Sequence, residues 1–288
     1  MKNNTKLGIL LAVLGIITGL IAFYLLAAQY NLLIDAKVMD GRADEAASVR
    51  ITYAVLGWLG VTTGAIWAAV LYGFVHKQKW AWFWGAVAAT IQLLVGFFPA
   101  IPAMDSHLPM PTLIVFGLAL LLWFAMLLIG GVQKKIIVLT FIAGLAYVLT
   151  FIDGVAPIAK YTTSQDDPFW NGMYVMTQQV SWWGAAAWAI FIFAVLAKKS
   201  WAIPVGIFAG TMSMLAGYPL GLHNALIEVR RFSMFLPAPL LSTGLLIYLW
   251  LPGTRKMLET WNASSQESLE QTGARVDVTG EKPIQARL

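Results

Sequence analysis

Eight apolar stretches, each about as long as a bilayer is thick, dominate what this chain is able to fold into. They run near residues 7–28, 51–75, 80–102, 111–131, 136–157, 173–197, 201–222 and 235–251. A hydrocarbon core of about 30 Å takes about 20 helical residues to cross. The runs are continuous and lack the dyad alternation of an outer-membrane barrel, so helices are the expected spanning elements. Only 11% of the residues are charged and 59% are hydrophobic, against about 25% charged in an ordinary soluble domain. The expected class is an all-α polytopic membrane protein with eight transmembrane helices.

Orientation follows from the loops. Lys2, Lys6, Lys77, Lys79, Lys134, Lys135, Lys198, Lys199, Arg255 and Lys256 fall on one set of loops, without a single acid. The alternate loops hold Asp35, Asp40, Asp44, Glu45, Asp105, Asp153, Asp166, Asp167 and Glu228. Six bases accompany them: Lys37, Arg42, Arg50, Lys160, Arg230 and Arg231. By the positive-inside rule both termini are expected in the cytoplasm, with the chain multi-pass in a plasma (inner) membrane. The first run, about 22 residues, exceeds the 7–15 of a signal-peptide core and is read as a retained span. The formal charge of +5 therefore reports topology, and no nucleic-acid partner is expected.

The sequence also repeats. A shift of 121 residues aligns 67–97 with 188–218 without a gap and matches ten pairs, among them Trp67/Trp188, Lys77/Lys198, Trp80/Trp201, Gly85/Gly206 and Gly96/Gly217. Pro109 and Pro111 then find Pro237 and Pro239. The reading is two tandem four-helix repeats, 1–132 and 133–256. Four spans per repeat make the two parallel, related by an axis along the membrane normal, and two four-helix bundles are the natural packing. Residues 257–288 form a polar cytoplasmic tail, expected to be largely disordered apart from a short helix over 258–269.

Chemistry is bounded by what is missing. There is no cysteine, which excludes disulfides, thiolate metal sites and cysteine nucleophiles. No Asp, Glu, Lys, Arg or His is expected in the middle of a span, and such residues are the usual markers of proton relays and ion pathways. Four plus four spans with both ends cytoplasmic is similar to the arrangement of haem A synthases. Those depend on histidines within helices, which this chain lacks, so no haem ligand pair within the membrane is expected and their activity is not carried over.

Weaker polar features remain. Gln92 and Ser213 fall at matching depths of the third and seventh spans. They suit hydrogen bonding to a lipophilic carbonyl ligand such as a quinone, or bonding between helices. On the outer rim Met104, His107 and Met110 are spaced by three, and thioether with imidazole is a set that suits copper(I); ordinary methionine packing explains the same residues. The last outer loop, 221–234, looks amphipathic, and Arg230 and Arg231 there suit an anionic headgroup or a partner's carboxylates.

The expected function is a membrane subunit or binding module, not an enzyme, for a lipid, a quinone or a partner protein at the outward face. Its partners would be membrane lipids and other membrane subunits. Two alternatives stand beside it: a transporter of a neutral or lipophilic solute, favoured by the repeat, and a membrane enzyme with an outer-rim site using His107, Asp105 or His223.

Overall fold

A computed structural model describes residues 5–162, 167–228, 230 and 232–263, and over these it is helical with no strand. The helices are α1 (Thr5–Met39), α2 (Ala43–Val75), α3 (Ala81–Phe97), α4 (Ala100–Asp105), α5 (Thr112–Ile129), α6 (Lys134–Thr162), α7 (Pro168–Leu196), α8 (Ala202–His223), α9 (Pro237–Trp250) and α10 (Pro252–Ala263). A π-helical turn, Asn224–Glu228, extends α8. Seven of these segments are long and apolar enough to cross a membrane, α3 and α4 counting as one. The eighth expected span becomes α9, apolar but only 14 residues long.

The helices form two closed rings of neighbours. In one, α1 packs on α2, α2 on α3, α3 on α5 and α5 back on α1; in the other α6, α7, α8 and α9 do the same, and α2 meets α6 between them. Large apolar side chains such as Leu10, Leu20, Trp58, Ile114 and Trp183 point outward and are well exposed, as befits a surface facing lipid rather than water. Lipid chains are as apolar as leucine, so helices associate through close packing rather than a hydrophobic drive. Gly19 lies so close to Gly60 and Gly64 that an added Cβ would sit 3.0 Å from their backbone. Trp67, fully buried, lies across Gly15, where a Cβ would be 2.2 Å from the indole.

Tight turns recur. Gly41, Lys77, His107, Gly131 and Lys198 all take positive φ, between 55° and 74°. Behind each, the next residue's N–H closes back on a carbonyl five residues earlier: Arg42 to Lys37, Gln78 to Gly73, Leu108 to Ala103, Val132 to Leu127 and Lys199 to Ala194, at 2.7–3.0 Å. This is the Schellman arrangement, which satisfies the last carbonyls of a helix.

Four boundaries differ from the sequence reading. α1 and α2 run well past residues 28 and 51 at the end carrying the mixed charges, because helical periodicity continues after hydropathy fades. Leu26, Gln29, Leu33 and Lys37 stay buried on α1, facing Ala46, Val49 and Tyr53 of α2. α6 likewise carries Asp153, placed among the loop acids by sequence, into a helix where it is 3% exposed. The tail helix starts earlier than expected, at Pro252, and is described as far as Ala263. Its Thr254, Leu258 and Trp261 face inward, and Trp261 donates to the Val195 carbonyl at 2.7 Å. The remainder of the tail lies outside the described residues.

Candidate functional site

At mid-depth the two matched polar residues serve the helices themselves. Gln92, fully buried, accepts from the Trp67 indole at 2.9 Å and donates to the Gly15 carbonyl at 3.0 Å, so one amide ties α1, α2 and α3. Ser213 sits in a hydroxyl chain with Thr150 and Ser242, each at 2.9 Å, joining α6, α8 and α9. Serine is too short to repeat the glutamine's reach, and the Trp188 indole N–H, the counterpart of Trp67, is left buried without a partner.

The end of the first ring that carries the mixed charges is more built. Because α1 continues to Met39, Lys37 is 2% exposed. Its ammonium pairs with Glu45 at 2.8 Å and with Asp105. Arg42, at the start of α2, donates to Asp105 at 2.7 Å and lies 3.3 Å from Glu45. Burial works against the Arg42 charge, but its bond to Asp105 and the attraction of both carboxylates prevail and hold its pKa above the ordinary value. Two cations and two carboxylates thus lock the α1–α2 hairpin to the end of α4.

Two helical turns below Lys37, about 12 Å along α1, lies a chamber of about 180 Å³. Leu25, Gln29 and Leu33 of α1, Tyr53 of α2, and Leu108 and Pro109 of the α4–α5 loop line it. The Gln29 amide donates to the Pro109 carbonyl at 2.7 Å, which fixes which end of the amide is nitrogen. Its carbonyl oxygen is buried and has no partner. Tyr53 donates to the Pro99 carbonyl at 3.3 Å. The wall is almost wholly apolar, and the unspent Gln29 oxygen lies buried behind it. The chamber therefore suits an apolar guest whose single O–H or N–H reaches that oxygen once the side chain shifts.

The other expected residues are scattered. Met104, His107 and Met110 are all exposed. His107 is the left-handed residue that closes α4, so its backbone has a structural reason of its own. Arg230 is exposed, with φ 48°, while Arg231 lies outside the described residues. Around them Leu226, Ile227, Phe232 and Met234 are strongly exposed, which gives this loop a greasy rim. His223 is buried and stacks on Trp170 with ring centres 3.5 Å apart. No group of three or more His, Cys, Asp or Glu gathers to hold a metal among the described residues.

Sequence reading passed over Gln29, Tyr53, the burial of Lys37, and Asp153. The last leaves one carboxylate oxygen buried and unpartnered. What the fold defines, over the described residues, is an all-helical protein with seven helical segments apolar and long enough to span a membrane. No family model, no curated protein and no solved structure matches the chain.

Proposed function

We propose that this chain is a plasma-membrane protein of eight spans, built as two tandem parallel four-helix repeats with both termini cytoplasmic, and that it binds a lipophilic ligand at its outward face. The two rings share the same order of neighbours. Lys77 and Lys198, 121 positions apart, hold the same φ of 56° in the same kind of turn. Both facts support duplication, and the run of ten bases without an acid supports the orientation.

The observation that carries the binding role is the chamber beneath the Lys37–Asp105 cluster, with the unspent carbonyl of Gln29 behind its wall. About 20 residues of α1 fill the hydrocarbon core, so with Thr5 at the inner surface Gln29 falls at the outer interface. There an amphiphile keeps its tail in lipid and offers its polar end to the protein. The free group is an acceptor, so the chemistry selects a donor: a lipid hydroxyl or a reduced quinone rather than an oxidised one.

The test is calorimetric titration of the purified protein with a short-chain diacylglycerol, a short-tailed hydroquinone and the matching quinone. At least one hydroxyl donor should bind about tenfold tighter than the quinone, the worth of one buried acceptor satisfied. Gln29→Leu should erase that preference. Failure of all three to bind, or a preference that survives Gln29→Leu, overturns the reading.

A further inference from the structure

A second cavity, at the opposite end of the molecule and in the other ring, has different chemistry. It is a groove of about 1010 Å³ between α6 and α9, closed at one end by the start of α10. That is the large end of the range for ligand pockets, about 300–1,000 Å³. α9 ends at Trp250, Leu251 turns extended at ψ 134°, and α10 leaves at once. The first turn of α10 thus meets the start of α6 at one end of the groove, while α6 and α9 flank its length.

The walls are aliphatic, with Leu139, Ile142, Leu241 and Leu245 among them, and the mouth is cationic, with Lys134 and Lys135 exposed on the first turn of α6. Pro252, Gly253 and Thr254, the first turn of α10, line the same mouth. Two helix N-termini therefore bring the positive ends of their dipoles to the rim, although the Thr254 and Arg255 N–H groups already donate to the Leu251 carbonyl and those of Ile136 and Ile137 to that of Gln133. No carboxylate lines the groove among the described residues. An acyl chain fits the walls and an anion fits the mouth.

We infer that this groove is a binding site for an anionic phospholipid, its phosphate held by Lys134, Lys135 and the first turns of α6 and α10, and its chain lying between α6 and α9. The site is separate from the outward chamber and stands whether or not that chamber binds a ligand. Under the topology proposed above it serves the cytoplasmic leaflet, where anionic lipids concentrate. A headgroup there joins α6 to α10 and secures α10, whose own anchors are Trp261 on Val195 and Lys198 lying 4.2 Å over the Trp261 ring.

The experiment is native mass spectrometry of the full chain from micelles holding equal phosphatidylglycerol and phosphatidylcholine. Phosphatidylglycerol should be retained at least fivefold over phosphatidylcholine. Lys134→Gln with Lys135→Gln, both on exposed positions, should bring the ratio near one without abolishing lipid retention. Leu241→Trp, which fills the groove and leaves the lysines in place, should lower retention of both lipids, with thermal unfolding confirming that each variant is folded. Equal retention by the unaltered protein overturns the proposal, as does a preference untouched by the lysine changes. Photo-crosslinking from position 241 that captures residues 264–288 in place of lipid overturns it as well.

Discussion

His107 takes a left-handed backbone, φ 55°, because it is the residue that ends α4 and lets Leu108 close back on Ala103. Histidine is tolerated there better than a β-branched residue, but the conformation still costs an L-residue about 1–2 kcal/mol, which glycine avoids. His107→Gly is therefore expected to raise stability, by up to about 1 kcal/mol once the extra chain entropy of glycine is offset. His107→Ala should lower it. Thermal unfolding in one detergent compares the two, and a fall with glycine would show that the imidazole itself holds the rim. Sequence offered His107 as a ligand candidate through its spacing from Met104 and Met110, a pattern blind to backbone conformation. The same blindness hid Lys37 and Gln29. Both look like loop polarity by hydropathy, and only their step of three and four residues from Leu26 and Leu33 shows that they belong to a buried helix face. Asp153 was legible as a charge but not as a buried one, because it lies near the end of the 136–157 run, among the loop acids by sequence, whereas α6 continues to Thr162 and buries it.

Among elements, the two rings hold themselves together by different polar devices at the same depth. In the first, Gln92 reaches two other helices; in the second, Ser213 hands hydrogen bonds between Thr150 and Ser242. Removing Gln92 strands the Trp67 N–H in an apolar interior, at a cost of about 1–3 kcal/mol. Thr150 and Ser242 can turn back to carbonyls of their own helices once Ser213 is gone, as Thr18, Thr90 and Thr140 already do. Gln92→Leu should thus lower the unfolding midpoint clearly and Ser213→Ala by less than half as much. Equal losses would mean that the hydroxyl chain is as stiff as the amide bridge. Spans were the most legible part of the fold, since eight apolar runs became seven long helices and one short one. Their ends were the least legible. Hydropathy marks where lipid stops, whereas helix ends follow from caps: the Asp167 carboxylate accepting from Phe169 N–H at 2.9 Å to start α7, or a lysine in the left-handed region at 77 and 198.

For the whole molecule, the absence of cysteine makes the side that each turn faces directly measurable. Under the proposed topology the chain crosses between Gln78 and Ser200 through α3 with α4, α5, α6 and α7. Four crossings return it to the side it left, and parallel repeats demand that outcome, whereas an inverted pair would separate the two residues. Single cysteines at Gln78 and Ser200, both exposed and uncharged, leave the lysines that set orientation in place. Each is expected to react with a membrane-impermeant maleimide only after cells are opened, while Met39→Cys and Met234→Cys react on intact cells. The harder question is α9. Its rise of about 21 Å falls short of a core about 30 Å thick, so crossing requires the bilayer to thin around it or flanking residues to reach out. Arg255, stacked over Trp250 with 5.6 Å to the ring, is placed for that reach at one end, and Phe235 and Leu236 extend the apolar length at the other. Thr260→Cys should accordingly be shielded on intact cells like Gln78→Cys. If it is labelled from outside, α9 turns back within the outer half of the bilayer, the chain ends on the outer side, and the lysine-mouthed groove beside α10 no longer faces the cytoplasmic leaflet.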